Sequence, residues 1–402
     1  MQATLAPIPA HVPEHLVYDF DPTNDPLLHR DPHISATALH RIAPRLFYTR
    51  HNGGQWVVTH AADALEILRD PERFSSDPKN NWFNAQRKPR TVPNQYDPPE
   101  HTSFRKILNP MFSPGAMARI ADDVRAMAVE LIEEVLPKGG CEFISEIGQR
   151  FPVYIFLKLV DTPRELAPDL LARVEKFVRG VDGATKLQGL AEVGAYIVTA
   201  LEERRRKPGT DLLSKLLEAK VDGERPLTQG ELEGAGTLLF LGGLDTVTST
   251  LSFIMNYLGQ HPEQYARLVN DPGLIGSGVE ELLRVHGGAN FERAATQDID
   301  FNGVKIAKGD RLNFISQVYG LDPEIIENPF EINLDREISP HLIFGAGPHR
   351  CLGSHLARIE IRIFLEEWTR RITQFRVEGD VPTKGGIVWS PEYLNLRWNA
   401  PG

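Results

Sequence analysis

The chain has little cysteine. Only Cys141 and Cys351 occur in 402 residues, separated by more than half the chain. That excludes a disulfide framework and a multi-cysteine metal knuckle, so chemistry at either thiol would draw on one protein sulfur alone. No run approaches the ~18 consecutive apolar residues of a membrane span. The N-terminal MQATLAPIPAHVPEHL lacks the basic start and apolar stretch of a signal peptide, so a cytoplasmic address with no membrane role is expected. Excess basic charge is missing too. With 44 Lys and Arg against 54 Asp and Glu the formal net charge is −10, which argues against a nucleic-acid binder because phosphate recognition needs a basic surface.

The sequence does contain material for a folded core. Hydrophobic residues make up 41% and charged residues 24%, the balance of a globular protein. No internal repeat or linker divides the chain, so residues 1–402 read as one mainly helical α+β domain, with 1–30 as an extended entry segment. RLFYTR and QWVVTH alternate as a β-hairpin with Asn52-Gly53 as its turn signal. Helical spacing follows over about Thr59 to Asp70 and Pro98 to Pro110. Between them lies a polar loop of about 20 residues whose Trp82 and Phe83 fit a lid over an apolar site. One long helix is predicted from Thr228 to about Gln260, with Thr228 and Glu231 as a capping box and His261-Pro262 as its stop. A second capping box, Ser277 to Glu280, opens a shorter helix carrying Glu281 and Arg284. Short strands with turns at Asn302-Gly303 and Gly309-Asp310 come next, then a helix from about Leu352 to Ile372 and terminal strands.

Cys351 stands between a glycine-rich loop and that last helix, in HLIFGAGPHRCLGSHLARIEIRIF. Gly345 and Gly347 let the backbone turn tightly and approach a planar partner. Gly353 offers an amide N–H near the sulfur, and a helix N-terminus favours the thiolate, the form that ligates metal. An isolated cysteine is more often an inert core thiol. The pattern Phe344-Gly345-x-Gly347-x-His349-x-Cys351-x-Gly353 is too long for accident, however, and here the sequence resembles the cytochrome P450 family. The resemblance implies the fold of that family, a haem-thiolate loop at 344–353, haem b as cofactor and Cys351 as the iron ligand. A thiolate there pushes electron density onto the iron and favours O–O cleavage.

Other motifs support the same resemblance. Glu281-x-x-Arg284 at i,i+3 would alone be an ordinary surface ion pair. In the family such a pair joins an arginine before the cysteine loop, here Arg336, as a structural clamp. Gly242-Gly243 followed by Asp245-Thr246 interrupts an apolar helix, at a cost of roughly 2 kcal/mol relative to alanine. Close packing with Thr246 back-bonded to a carbonyl is one reading. The resemblance implies the other, a groove for O2 with Asp245 and Thr246 as a proton-delivering acid–alcohol pair, and Arg179 as a partner gating Asp245. His101 and Arg105, at i,i+4, match the family's propionate-binding pattern, as do Arg293 and His349; each taken singly reads equally as a solvated surface residue.

The resemblance covers nearly the whole chain and is closest to the camphor-hydroxylating bacterial branch, with HNGG, DPPE, RRRKPGTD, LGGLDTV, VEELLR and KGGIV in order. That branch's ketone-binding tyrosine aligns near Pro89, and Tyr96 is the only tyrosine in the loop. Phe291 replaces an aspartate. The implied substrate is therefore a small, largely apolar terpenoid: a monoterpenoid such as 1,8-cineole or camphor, or a norisoprenoid such as ionone. Pocket positions carried over are Leu238, Leu241, Gly242, Ala289, Ile387 and Val388, with Trp82 and Phe83 above; about half of these fit ordinary core equally well. The implied activity is monooxygenation by a monomer, with electrons from a [2Fe-2S] ferredoxin and its NAD(P)H-dependent reductase. Arg105, Lys106, Arg350 and Arg73 would form the docking patch. A peroxide-driven peroxygenase or a non-catalytic haem protein would share the cysteine loop without needing Asp245-Thr246. A cysteine hydrolase lacks a His-plus-acid pair tied to Cys351.

Overall fold

The computed structural model describes residues 5–80, 90–180, 182–337 and 339–400. The hairpin forms as β1 (Leu46–Thr49) against β2 (Gln55–Val58), with Thr49 opposite Gln55. Its connection spans Arg50 to Gly54 rather than a two-residue turn. Asn52, Gly53 and Gly54 all adopt positive φ, which lets one helical turn fit between the strands. Helix α1 (Ala61–Leu68) leads to β3 (Phe74–Ser75), and α2 (Glu100–Leu108) follows the loop that contains Trp82 and Phe83, which lie outside the described residues. Helices α3 (Ala121–Val135), α4 (Ala167–Arg179) and α5 (Gly183–Arg206) build the helical half.

The expected single long helix is two: α6 (Gln229–Gly243) and α7 (Thr246–Gln260), broken at Leu244 and Asp245. The Thr228–Glu231 capping box is present, each side chain bonding the other's backbone N–H. The break has a local cause. The Thr246 hydroxyl donates to the Gly242 carbonyl at 3.0 Å. The Asp245 carboxylate is drawn aside by Arg179. The 32-residue stretch Gln229–Gln260 has the length and hydropathy of a membrane span, but over half of its most apolar window is buried inside the fold. It is a core element.

Helix α8 (Ile275–His286) precedes β4 (Asn290–Ala295) and β5 (Arg311–Ile315), and α9 (Ser354–Arg371) follows the cysteine loop. The second capping box does not form. Helix α8 begins two residues earlier, Ser277 donates to the carbonyls of Leu274 and Leu334, and Glu280 turns to Arg358 on α9. The main sheet has the order β1-β2-β5-β4-β3, with β5 parallel to β2 and the other neighbours antiparallel. Cys141 sits in a small sheet opposite Leu396. Burial pushes its thiol far up, leaving it inert.

Two apolar cores result, one among the helices and one on the sheet. Helix α7 bridges them, with Leu251 and Ile254 in the first and Phe253 in the second. The cysteine loop bridges them too: Phe344 packs on the helical core, whereas Ala346 is buried in the sheet core. Both elements that carry the predicted chemistry therefore lie on the seam.

Candidate active site

The cysteine loop is a tight reversal. The Cys351 N–H donates to the Phe344 carbonyl at 2.8 Å and the Gly345 N–H to the Leu342 carbonyl at 2.8 Å. Gly345 and Gly347 adopt φ of 65° and 66°. A Cβ on Gly347 would meet the Leu68 carbonyl oxygen at 2.2 Å, so only glycine fits there. The guanidinium of Arg358 lies 4.5 Å over the Phe344 ring and is held by Glu280, which fixes the loop against α8 and α9.

Cys351 is exposed by surface area, yet burial pushes its thiol up. Both hold for a sulfur facing open space inside the fold rather than bulk water. The Gly353 N–H bonds the sulfur, and the cations of Arg105, Arg350 and Arg358 favour its thiolate. The helix N-terminus was expected to leave the thiol easily ionised. Desolvation outweighs those effects in the unligated thiol.

Beside it is a cluster of cations and imidazoles. His101 and His349 stack with ring centroids 4.0 Å apart. Both ring nitrogens of His101 and Nε2 of His349 are buried without a hydrogen-bond partner. Burial, then repulsion from Arg105 and Arg293, lowers His101 to about 4. Burial lowers Arg293 to about 10, with Asp97 partly offsetting it. Arg105 donates to the Arg350 carbonyl at 3.0 Å. Unpartnered buried imidazole nitrogens beside two guanidiniums ask for an anion. Ideal Cβ atoms on Gly242, Gly345 and Gly353 would touch nothing within 4 Å, so the backbone leaves room for a broad ligand. A planar group with two carboxylates and a sulfur-bound metal fits these residues.

The clamp is fully buried rather than a surface pair: Glu281 and Arg284 are both 0% exposed. Arg284 donates to both Glu281 oxygens at 2.9 and 2.7 Å and to the carbonyls of Gly320 and Pro329 at 2.6 and 2.7 Å. Arg336 joins Glu281 at 3.2 Å. Sequence reading missed Ser339, whose hydroxyl donates to Glu281 at 2.7 Å, and the Asn333 N–H at 3.1 Å. A serine in a coil carries no signal of its partner.

At the break in the long helix, Arg179 makes a two-pronged ion pair with Asp245 at 2.7 and 3.0 Å. The two glycines divide their roles. Gly243 packs against Phe156, whose ring a Cβ would meet at 2.5 Å, whereas Gly242 faces open space. Leu238, Leu241, Ala289 and Ile387 are half-buried, while Val388 is 4% exposed and belongs to the core. Ala289 is fixed by Ser316, whose hydroxyl accepts its N–H and donates to its carbonyl. Phe291 stacks on Phe314 at 5.1 Å, and Tyr96 lies under Arg90 and against Phe104, held in the loop's own packing. Two of the four basic residues expected on the cysteine side carry ion pairs. Lys106 pairs with Asp222, brought in from a distant part of the chain, and Arg73 with Asp70 and Glu66 just before it.

Sulfur ligation next to a cradle for two carboxylates is the chemistry of a haem-thiolate protein. The family model described as Cytochrome P450 matches residues 184–272 and 274–384. The chain is 35% identical to "Probable cytochrome P450 127A1" of Sinorhizobium fredii, over 98% of this chain and 97% of that one. Among solved structures, those of CYP101J2 and CYP101C1 are each 34% identical, with TM-scores of 0.88 and 0.87, covering 98% of this chain and 100% of theirs. The chain belongs to the cytochrome P450 family. It is thus a monooxygenase of a class built on Cys-ligated haem b, which uses O2 and takes its electrons from a redox partner.

Proposed function

We propose that this enzyme hydroxylates a small, largely apolar terpenoid, with Cys351 as the haem ligand and a [2Fe-2S] ferredoxin as electron donor. The observation that carries the cofactor placement is the set of buried, unpartnered ring nitrogens on His101 and His349, with Arg293 and Arg105 next to them and the Cys351 thiol beside Arg105. When bound, thiolate-ligated haem supplies O–O cleavage and oxygen insertion. Cys351 would hold the iron as its thiolate, with the Gly353 N–H bonding the sulfur. His101, Arg105, Arg293 and His349 would hold the two propionates. Leu238, Leu241, Ala289 and Ile387 supply apolar walls, so orientation comes from packing more than from polar anchors. The alignment of the tyrosine position with Pro89, and the engagement of Tyr96 by Arg90 and Phe104, support a substrate without a ketone requirement.

Asp245 is held by Arg179 and the Thr246 hydroxyl by the Gly242 carbonyl. Proton delivery requires both to let go: Asp245 swings from Arg179 to take a proton from solvent, and the Thr246 O–H turns from Gly242 into the pocket. Thr246→Ala is expected to leave NADH consumption largely intact and to cut product per NADH about tenfold or more, below the ~100-fold full loss of a proton donor. Unchanged coupling would favour peroxygenase chemistry.

Arg350 remains exposed next to the cysteine, with Arg105 behind it. Arg350→Glu is expected to slow ferredoxin-supported turnover about tenfold at low salt, and the deficit should shrink as salt rises. Turnover insensitive to both would place the donor elsewhere. The substrate class is tested by titrating ferric protein with monoterpenoids and norisoprenoids while following the Soret shift. Absence of a spin-state change with every member rejects it.

A further inference from the structure

Away from the cysteine, where β2 passes into α1, the structure gathers a second set of metal-binding side chains. His60, Asp322 and Glu324 each bring one donor atom to within 4.8 Å of the others. Asp322 is 0% exposed, yet its carboxylate meets only the N–H groups of Ala61 and Glu324, at 2.8 and 2.9 Å, and forms no ion pair with a described residue. A buried carboxylate without a counter-charge is costly. His40, whose ring centroid lies 5.0 Å from that of His60, does not supply one, because burial lowers its pKa against the pull of Asp322. His60 itself is 7% exposed. The Thr59 hydroxyl donates to the Arg45 carbonyl at 3.1 Å, which leaves its oxygen to accept the Nδ1–H of His60 at 2.8 Å. That assigns the lone pair to Nε2, which stands 3.8 Å from a Glu324 oxygen, beyond hydrogen-bond range. A buried lone pair facing two carboxylates calls for a cation between them.

We propose that His60 Nε2 and the carboxylates of Asp322 and Glu324 bind one zinc ion, at a site apart from the haem. Imidazole nitrogen combined with carboxylate oxygen suits zinc, which takes three protein ligands and a water where one side stays open. Glu324, half-exposed, forms that open side. Its two oxygens are gripped by Arg45 at 2.6 and 2.8 Å, and Arg45 also reaches Asp63 at 2.8 Å. The grip orients the carboxylate, while each oxygen keeps a second lone pair for the ion. With both imidazoles neutral, the carboxylates of Asp63, Asp322 and Glu324 outweigh the Arg45 guanidinium by the two charges that a divalent ion carries. Zinc–ligand bonds of roughly 2.0–2.2 Å need the donors closer than they stand, and rotation of the Glu324 side chain closes the gap. Thr59 is then the outer partner that fixes the ligating tautomer. The ion ties the hairpin to the segment whose Gly320 carbonyl takes Arg284, so its role is to stabilise rather than to catalyse.

The test titrates the EDTA-washed holoenzyme with zinc chloride, counting zinc separately from haem iron, and locates the ion by anomalous diffraction at the zinc edge in soaked crystals. Wild type is expected to bind one zinc per chain between His60 Nε2 and the two carboxylates. Its Tm should rise by about 3 °C when zinc exceeds its Kd by roughly a hundredfold. His60→Gln and Glu324→Gln should each weaken binding by more than the ~10–100-fold lost with an outer partner, and Thr59→Val by about that amount. Circular dichroism of all three should match wild type, so that lost binding is not lost fold. No zinc taken up by wild type overturns the proposal. Binding that survives both glutamine substitutions overturns it too, because the ion then sits on other side chains. Should a variant fail to fold, the wild-type anomalous peak decides: its presence at His60 sustains the site and its absence there rejects it. None of these outcomes depends on what Cys351 holds.

Discussion

Arg284→Ala is expected to abolish the stable holoenzyme. The guanidinium is wholly buried and donates to Glu281 and to the carbonyls of Gly320, Pro329 and Glu331. Removing it leaves a buried carboxylate and three carbonyls short of their donor. Breaking a buried ion pair in this way costs about 3–5 kcal/mol. Native stability is only roughly 5–15 kcal/mol, so most of the margin goes. The damage spreads to the site because Glu281 also holds Arg336 and Ser339, which begin the segment leading to the cysteine loop. Arg284→Lys is expected to fail nearly as badly, since one ammonium cannot reproduce a planar fork serving four partners. The check is denaturant unfolding together with the haem retained after gel filtration. A variant that keeps wild-type stability and haem would show that the clamp is dispensable.

How far the sequence revealed this site depended on the kind of feature. The cysteine loop was legible because glycines at 345 and 347 answer to backbone requirements that no other residue meets, and both do adopt positive φ. Glu281 and Arg284 were legible as a pair but not as buried, since i,i+3 spacing looks the same on a core face and a wet one. The break at Leu244 and Asp245 was hidden for a different reason. Apolar periodicity runs straight through it, and the partner that pulls Asp245 aside, Arg179, arrives from another helix. Ser277 misled because its hydroxyl found the Leu334 carbonyl, distant in sequence, before it found a helix N-terminus. Charge was the weakest guide. Lys106 and Arg73 belong to the expected basic face by position, but Asp222, distant in sequence, pairs with the first and Asp70 with the second. Features imposed by the backbone were thus readable from one sequence, and those depending on which remote side chain arrives first were not.

Cys351→Ser is expected to spare the fold and remove the chemistry. The loop is held by backbone bonds, Cys351 N–H to Phe344 and Gly345 N–H to Leu342, and by glycine conformations that serine does not disturb. The cluster of His101, Arg105, Arg293 and His349 is untouched, so the variant should still take up haem through its propionates, with weaker affinity. The anionic sulfur is lost, and with it the electron donation that sets this class apart. The ferrous–CO complex should therefore lack the red-shifted band of a thiolate ligand. Oxygen insertion should fall by more than the ~100-fold that loss of a mere outer-shell partner of a metal costs. Cys141→Ser is the control: its thiol lies in a small sheet away from the loop, and it should keep both the band and the turnover. If Cys351→Ser retained the red-shifted band, sulfur ligation by this residue would be wrong. If it lost the band but kept full turnover, the thiolate would not be what drives the reaction, and the peroxide-driven reading would need a different source of O–O cleavage.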